Sequence, residues 1–523
     1  MPIRSPHPDV VVPDVTLSEY VLGGAAARGE RLAIVDSATG AGLTYAQLAE
    51  GVDRCAAGLA ARGLAAGERV GIFAPNVPEY AVAFHGIARA GGTATTVNAL
   101  YTADEVAFQL RIAGARFLVT VPELAERALR AAESSGVEEV FSIGEAPGTT
   151  PFDELLARPG TPVPDVAIDP ATHLVALPFS SGTTGLPKGV MLTHRNLVAN
   201  LCQYEPVRTI DESDRVIAVL PFFHIYGQTL ALNDALRRGA TIVTMPRFDL
   251  GEFLAAIERH RITACYVAPP VVLALAKHPL VEEHDLSSLR FITSGAAPLG
   301  AELQGAAQRR VGCRVQQGYG LTEASPVTHH VHQDDESVHG TIGTLLPSTE
   351  ARLVDAETGR DAAPGRPGEI WVRGPQVMLG YLGDDVATAA TLTADGWLRT
   401  GDIATVDEAG RFRVVDRLKE LIKYKGYQVP PAELESILLT HPQVADACVV
   451  PVRDEEAGEV PKAFIVPHAG RQPDPGEVMA YVAARVAPHM QVRACELIDA
   501  IPKSPSGKLL RRVLVERERA ARE

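Results

Sequence analysis

Short apolar runs alternate with helical patterns across residues 30–345, and this alternation restricts the possible folds more than any other feature of the chain. The clearest runs occupy residues 174–179, 216–220, 241–245, 263–268 and 290–293. Each run ends at a Pro, Gly or Ser. Strands that alternate with helices predict a mainly parallel sheet covered by helices, with ligands bound beyond the carboxyl ends of the strands.

A well-marked helix is predicted after Thr44. Thr44 and Gln47 have the spacing of a capping box, in which each side chain binds the backbone N–H of the other residue. An apolar stripe then recurs at helical spacing: Leu48, Val52, Cys55 and Leu59. This stripe predicts one buried face.

The sequence changes character after about residue 350. Residues 369–373 and 410–416 alternate in the manner of half-buried antiparallel strands, and strand candidates follow at 447–452 and 463–466, with a helix at 433–439. We predict an α/β fold with two domains, 1–415 and 416–523. The first has layered helices, mainly parallel sheets and a small β-rich subdomain, and the second is a small α+β domain.

Charge and composition exclude several classes of protein. The chain has 49 Lys and Arg against 64 Asp and Glu, a net charge of −15, which disfavours nucleic acid and anionic membranes as partners. No segment approaches the ~18 consecutive apolar residues that span a bilayer. The first residues lack the apolar stretch of a signal peptide, and the six cysteines lack CxxC spacing, so we expect free thiols and a cytoplasmic protein.

The strongest motif is residues 179–189, FSSGTTGLPKG. Its glycines allow backbone N–H groups to approach phosphate oxygens, its hydroxyls add donors, and Lys188 adds positive charge. It is not a Walker A loop, because Gly189 follows Lys188 where that loop has Ser or Thr. The motif predicts a phosphate-binding loop between a strand and a helix that starts near His194, and a flexible surface turn is the alternative.

Residues 180–189 resemble the phosphate loop of the adenylate-forming superfamily, which includes acyl-CoA synthetases, luciferases and peptide-synthetase adenylation domains. Further motifs follow in the order of that superfamily: QGYGLTE at 317–323, TGD at 400–402, DRLKE at 416–420 and PKSPSGK at 502–508. Within it, the chain is most similar to 4-coumarate–CoA ligases. That similarity is carried by LPFFHIY at 220–226, SGAAPLG at 294–300 and ELIKYKG at 420–426.

The resemblance implies a two-step reaction that uses ATP, Mg²⁺ and coenzyme A. A carboxylate attacks the α-phosphate of ATP and gives acyl-AMP and pyrophosphate, and a thiol then displaces AMP. It also implies that the C-terminal domain is mobile and turns about Asp416 between the two steps; an ordinary linker aspartate is the alternative.

The resemblance also implies which residues bind the nucleotide. The phosphate loop supplies Ser180, Ser181, Gly182, Thr183, Thr184 and Lys188, and the next motif supplies Gln317, Gly318 and Tyr319. Thr322 is expected at the α-phosphate and Glu323 at Mg²⁺. Asp402 and Arg417 are expected at the ribose, and Lys508 at the carboxylate and α-phosphate, where it stabilises developing charge.

The acid and the acceptor have implied sites as well. The acid is expected against His224, Tyr226, Leu230, Ala296, Gly318 and Val327, with Gly295 and Gly318 leaving room for a planar ring. The adenylate is expected against Lys423 and Gln428, and coenzyme A against Arg247, Lys425 and Gly426. Leu230 replaces a small polar residue of the plant enzymes, which disfavours ring-hydroxylated acids because an unpaired buried phenol costs ~1–3 kcal/mol.

Other interpretations stay open at this point. Lys419 and Lys423, four residues apart, suit a solvated helical face. The histidines at 329, 330 and 332 suggest a metal site, although a solvated loop is the better interpretation because no further ligand has zinc-like spacing. Residues 488–492, PHMQV, lose a positive charge of the family's acceptor site, so an amine acceptor is an alternative to coenzyme A. A luciferase-like oxygenase and a non-catalytic ligand-binding protein are remote alternatives.

Overall fold

The structure, a computed structural model, describes residues 2–180, 187–207, 210–335, 338–425, 427–454, 456–504 and 507–520. Helices pack on mainly parallel sheets in the larger part of the chain, and a smaller α+β unit follows. This is the predicted α/β class. Among the described residues, every helix is too short or too polar to span a bilayer.

The sheet that carries most of the predicted runs has nine strands within the described ranges. In sheet order they are Thr344–Leu345, Val327–His330, Arg314–Gly320, Phe291–Ser294, Ala264–Val267, Arg215–Ala218, Thr241–Thr244, Leu32–Asp36 and Gly42–Thr44. The six central strands are parallel and the edges antiparallel. Four of the five apolar runs named above lie in this core, as predicted.

A second sheet packs beside it and also has nine strands among the described residues. They are Phe179–Ser180, Lys188–Thr193, Leu174–Ala176, Thr93–Thr96, Arg69–Phe73, Ala115–Thr120, Glu139–Ser142 and Thr150–Pro151, with Gly380–Tyr381 paired to Lys188–Thr193. The phosphate-loop motif follows a strand and precedes a helix that starts at His194, as predicted, and it lies between two antiparallel strands. The helix His194–Tyr204 begins only after the second of them. Residues Ser181, Gly182, Thr183 and Thr184 lie outside the described residues.

Helices cover both sheets. They span Leu17–Leu22, Ala25–Arg28, Tyr45–Ala61, Pro78–Arg89, Ala103–Ala113, Ala125–Ala132, Phe152–Leu155, His194–Tyr204, Ala235–Arg238, Leu250–His260, Pro269–Lys277, Ala301–Val311 and Asp385–Thr391, with a π-helical segment at Gly227–Asp234. Short 3-10 turns lie at Pro122–Leu124, Pro279–Glu283 and Thr322–Ala324. The predicted capping box is present, with Thr44 and Gln47 bonded in both directions, and its apolar stripe is buried.

An antiparallel sheet forms the predicted β-rich subdomain. Its strands, in sheet order, are Ile3–Arg4, Glu350–Val354, Gly368–Arg373, Leu398–Val406 and Phe412–Arg417. The last two strands pair Asp402 with Arg417. Two residues expected at one ribose are thus neighbours across a ladder.

The C-terminal unit has its own sheet and apolar core. Its strands are Tyr427–Val429, Ile422–Tyr424, Gly458–Pro467, Val444–Asp454 and Ala494–Leu497, and its helices are Pro431–Leu438, Pro475–Ala483 and Arg511–Ala520, with a 3-10 turn at Pro488–Met490. Lys423 lies in a strand and pairs with Gln428 in the next one. The helical face suggested for Lys419 and Lys423 was therefore wrong, because this segment is a hairpin that completes the small sheet.

The three histidines at 329, 330 and 332 also differ from the prediction. His329 and His330 lie in the buried strand Val327–His330, with at most 1% of their surface exposed, so the solvated-loop interpretation was wrong for both. The ring of His329 packs 4.4 Å from that of Phe412. No cluster of potential metal ligands occurs in the part of the chain that the structure describes. These rings are packing elements of the core.

Close packing of the longest helix gives a test of the fold. Alanine normally favours a helix over glycine by ~0.5–1 kcal/mol, but a Cβ at Gly58 would lie 1.6 Å from the carbonyl oxygen of Leu155. We expect Gly58→Ala to destabilise the protein by ~1–3 kcal/mol, the usual cost of overpacking, and to lower its melting temperature.

Gly51→Ala in the same helix is the matched control. Its Cβ would meet only side-chain carbons of Val82, the nearest at 3.2 Å, and these can move. We expect a smaller change in melting temperature. Equal melting temperatures for the two variants in thermal denaturation would contradict the packing.

Candidate functional site

The site lies where the carboxyl ends of the central parallel strands meet the small C-terminal unit. Gln317, the last residue at which the strand Arg314–Gly320 pairs with its parallel neighbour, donates to the carbonyl of Leu299 (3.1 Å) and accepts from its N–H (3.2 Å). The side chain thereby fixes the loop that contains Ala296, whose φ of 71° is left-handed. The sequence predicted Gln317 as a nucleotide ligand; in the structure its buried side chain is bonded to Leu299 and Gln304 and shapes the neighbouring loop.

A cleft opens between this edge and the small unit. The large unit lines it with Ala296, Gly318, Tyr319 and Asp402, and the other wall includes Arg417 and Lys508. Residues more than 200 positions apart in the sequence thus share one cleft. Five of the predicted nucleotide or catalytic residues are brought together there.

Asp402 is the centre of one polar group in the cleft. Its carboxylate accepts a hydrogen bond from the hydroxyl of Tyr319 (2.6 Å) and contacts Nε of Arg417 (3.2 Å). Burial, together with the Asp402 charge, raises the pKa of Tyr319 well above its usual range. The phenol therefore stays protonated and donates, which holds the carboxylate in place.

Glu323 is the centre of a second group. Its Oε1 accepts hydrogen bonds from the hydroxyls of Ser180 (2.8 Å) and Tyr381 (2.9 Å). Lys188 lies over the same tyrosine ring, with Nζ 5.2 Å from the centroid, and 3.7 Å from a carboxylate oxygen of Asp384. Sequence reasoning missed Tyr381 and Asp384, since only the pairing of Gly380–Tyr381 with Lys188–Thr193 brings them here.

Lys508 projects into the cleft from a tight turn. Its backbone N–H donates to Oγ of Ser504 (3.1 Å), and its carbonyl accepts from the N–H of the same residue (2.8 Å). Burial, and next the positive charge of Arg417, lower the pKa of Lys508 to about 8. The amine therefore remains largely protonated at neutral pH but sits close to the point of losing its proton.

His224 faces Lys508 from the large unit. Burial, with a smaller contribution from the Lys508 charge, lowers the pKa of His224 to about 4. The N–H of Tyr226 donates to Nδ1 (3.2 Å), which places the imidazole proton on Nε2. At neutral pH this ring is an uncharged donor.

The expected acid-binding residues form a tightly packed wall. The hydroxyl of Tyr226 donates to the carbonyl of Thr293 (3.1 Å), and its ring fills the space beside Gly295, where a Cβ would lie 2.9 Å away. A Cβ on Gly318 would lie 2.8 Å from Cδ2 of His330. The room expected beside both glycines is thus occupied by aromatic rings of the chain itself, because a missing Cβ lets a ring approach.

The sequence reasoning missed Tyr204 and considered His330 only as a metal ligand or a loop residue. The ring of Tyr204 packs edge-on to that of His330, with centroids 5.2 Å apart and the Tyr204 hydroxyl 3.3 Å from Nε2 of His330.

Two other residues expected at the acid are buried. Leu230, on the π-helical segment, is 1% exposed. Val327 is buried, and its backbone is bonded in both directions to the side chain of Asn200.

Several predicted residues lie elsewhere or outside the described residues. Thr322 is half-buried in the short turn next to Glu323. Four of the predicted side chains are exposed and do not line the cleft: Arg247, Lys423, Lys425 and Gln428. Gly426 lies outside the described residues. The hairpin that carries the last three therefore faces solvent while Lys508 occupies the cleft.

Comparison with protein families gives two matches. Residues 24–382 match the AMP-binding enzyme family, and residues 433–508 match the AMP-binding enzyme C-terminal domain. Among curated proteins, 4-coumarate–CoA ligase 5 of Oryza sativa subsp. japonica is 43% identical over 521 residues, which cover 98% of this chain and 96% of the relative.

Solved structures resemble the chain over nearly its whole length. The anthranilate CoA ligase AuaEII, solved with anthranoyl-AMP, superposes with a TM-score of 0.90 and 26% identity, covering 98% of each chain. ATP-bound MatB from Rhodopseudomonas palustris superposes with a TM-score of 0.88 and 28% identity, covering 98% of this chain and all of that one.

The protonation of Lys508 can be tested directly. Only a neutral amine reacts with acetic anhydride, so the relative acetylation of Lys508, followed by peptide mass spectrometry, should rise through pH ~8, well below the ~10.4 of an ordinary lysine. Arg417→Gln removes a nearby cation and should move this midpoint to higher pH. A midpoint near 10.4 in the parent protein would contradict the environment described.

Proposed function

Because the chain belongs to the AMP-binding enzyme family, we propose that it is an ATP-dependent acid–thiol ligase that joins a carboxylic acid, aromatic and cinnamate-like, to coenzyme A. The observation that carries this proposal is the meeting of Lys508 with Asp402 and Arg417 in one cleft, with His224 near enough for the Lys508 charge to lower the pKa of its ring. A cation, a neutral donor and a ribose-binding pair are what the activation of a carboxylate by ATP requires.

In the first step a carboxylate oxygen bonds to the α-phosphorus of ATP, and the bond from that phosphorus to the bridging oxygen breaks, releasing pyrophosphate. Asp402 accepts hydrogen bonds from the ribose hydroxyls, and Arg417 donates to the same sugar. Thr322 donates to the α-phosphate. Lys508 spans the carboxylate and this phosphate, and its charge stabilises the negative charge that develops between them.

The neutral state of His224 suits this chemistry. A charged imidazole beside Lys508 would lower the pKa of that lysine further. The neutral ring of His224 does not, and its Nε2–H can still donate to the carboxylate. His224 thus orients the acid. Tyr226, Leu230, Ala296, Gly318 and Val327 form the surroundings of its organic part.

Glu323 is the residue proposed to hold Mg²⁺. Both of its hydrogen bonds described above reach Oε1, and among the described residues none reaches Oε2, which leaves a hard oxygen donor of the type that this ion prefers. When bound, the ion would neutralise phosphate charge. Ser180, Lys188 and the loop at 181–184 would bind the remaining phosphate oxygens.

In the second step the sulfur of coenzyme A attacks the acyl carbon, and AMP leaves. We assign Lys423 and Gln428 to the adenylate, and Arg247, Lys425 and Gly426 to coenzyme A. The exposed hairpin must then replace Lys508 in the cleft, which requires domain 416–523 to turn against domain 1–415 about Asp416. Burial raises the pKa of Asp416 to about 6, while its carboxylate accepts from the N–H groups of Arg417 (2.7 Å) and Ala432 (2.8 Å).

We place the enzyme in the cytoplasm, with small molecules and no nucleic acid as partners. The six cysteines are free, five of them buried, as suits a reducing compartment. The negative net charge repels polyanions.

A pyrophosphate-release assay over a panel of carboxylic acids tests the function. We expect pyrophosphate release with ATP and Mg²⁺, and a thioester only when coenzyme A is added. Formation of an amide from an added amine without coenzyme A would contradict coenzyme A as the acceptor.

The role of Lys508 has its own test. Lys508→Ala should lower pyrophosphate release by ~10²–10³-fold, as the loss of one preorganised donor does. Thioester formation from pre-made acyl-AMP should survive, and equal loss of both steps would contradict the assignment.

The preference among acids tests the acyl site. Leu230 offers no partner to a ring hydroxyl, and the Tyr226 proton is already used by Thr293. The kcat/KM for 4-coumarate should therefore be about tenfold below that for cinnamate, a difference of ~1.4 kcal/mol. Leu230→Ser should narrow or invert this ratio.

Leu230→Ala is the matched control, since it opens space without adding a hydroxyl. We expect it to leave the ratio nearer that of the parent than Leu230→Ser does. A parent that favours 4-coumarate, or identical ratios in the two variants, would show that Leu230 is not next to the ring hydroxyl.

A further inference from the structure

One hydrogen bond crosses directly from the large unit to the small one at some distance from the reacting groups. Lys277 is the last residue of the helix Pro269–Lys277, whose first turn lines the cleft. Its Nζ donates to the backbone carbonyl of Leu439 (2.7 Å), the residue that caps the C-terminus of the helix Pro431–Leu438. A cation of one domain thus binds a helix end of the other.

The chemistry of this contact is favourable. The last carbonyl groups of a helix have no partner within the helix, and together they carry a partial negative charge that attracts cations. The Lys277 side chain is exposed overall, and partial desolvation of its amine lowers its pKa. The two units are therefore joined here by the attraction between a cation and a helix C-terminus as well as by a hydrogen bond.

Two further contacts lie along the same seam. A Cβ on Gly300 would be 3.3 Å from Cβ of Ser436, on the helix that Lys277 caps. A Cβ on Gly507 would be 2.8 Å from Cβ of Ala268, at the start of the helix that ends in Lys277. One face of the large unit thus contacts both the capped helix and the turn that carries Lys508.

We propose that Lys277 is a positioning residue for acyl-adenylate formation: by capping the helix Pro431–Leu438 it holds the small domain in the orientation that places Lys508 in the cleft. This role rests on the proposed function, in which the small domain leaves that orientation before the thioester forms. Lys277 touches neither nucleotide nor acid. Its effect is on the equilibrium between the two orientations of the small domain.

The two half-reactions separate this role from a general loss of stability. Lys277→Ala should lower acid-dependent pyrophosphate release about 2- to 10-fold, the range expected for one hydrogen bond. Thioester formation from pre-made acyl-AMP should be unchanged or faster. Lys277→Arg, which keeps a cationic donor, should restore the first step. Equal losses in both half-reactions, or none in either, would overturn the proposal.

Arg111→Ala is the matched control. Arg111 is likewise an exposed residue in the last turn of a helix and donates to a backbone carbonyl, that of Ser134 (3.5 Å), but both partners belong to the large domain. We expect neither half-reaction to change. A drop in pyrophosphate release equal to that of Lys277→Ala would overturn the proposal.

A cross-link measures the orientation without any catalysis. Cysteines at Gly300 and Ser436 would have Cβ atoms close to the separation found in disulfides. Under limiting oxidation, the linked fraction, measured by mass spectrometry of non-reduced peptides, should fall when Lys277→Ala is added and recover with Lys277→Arg. An unchanged fraction would overturn the role of Lys277, whereas a parent protein that releases no pyrophosphate with any acid would overturn the proposed function instead.

Discussion

The arrangement of this protein depends on the burial of one lysine amine beside another cation. Lys508 is taken out of water next to Arg417, and both effects disfavour its charged form. The carboxylates of Glu420, Asp402 and Glu323 act in the opposite direction and keep the amine near its protonated state. The charged amine is stabilised when a nucleotide brings negative charge into the cleft. Without a bound anion, its burial beside Arg417 costs free energy. The cleft is therefore poised for an anionic ligand.

The base from which Lys508 extends is rigid. Arg511, three residues further on, is half-buried and holds the carboxylate of Glu435 with two nitrogens, at 3.2 and 2.5 Å, and also pairs with Glu420. Glu435 accepts in addition from the N–H of Val449 (2.8 Å). A paired and hydrogen-bonded buried charge network is strongly destabilised by the loss of one member. These contacts join the helix Arg511–Ala520 to the helix Pro431–Leu438 and to the small sheet, and they tie the turn that carries Lys508 to the same unit.

The acid-binding side obeys a different constraint, that of close packing. Glycines at 295 and 318 allow two aromatic rings to approach the backbone, and these rings are fixed by hydrogen bonds of their own. Interiors are packed as densely as organic crystals, so a vacancy beside a glycine is filled by whichever side chain can reach it. The two glycines thus indicate that a side chain packs closely against the backbone. Which side chain packs there decides the shape of the acid-binding wall.

The sequence by itself determined the fold class, the capped helix at Thr44, the core strands and the motifs of the AMP-binding family, because these depend on local patterns of apolar, glycine and capping residues. Through the resemblance it placed Asp402, Arg417 and Lys508 at one nucleotide site, and the structure has the three residues in one cleft. The tertiary structure decided the contacts between residues that lie far apart in the sequence, which no local pattern encodes. Pairing of Gly380–Tyr381 with a distant strand sets Tyr381 against Glu323, and the strand Val327–His330, paired on both sides, buries histidines that look solvated in sequence. Lys277 and Leu439 are 162 residues apart and meet only when two domains dock. Contacts of this kind arise from packing between whole elements, and each partner taken alone is an ordinary surface or core residue.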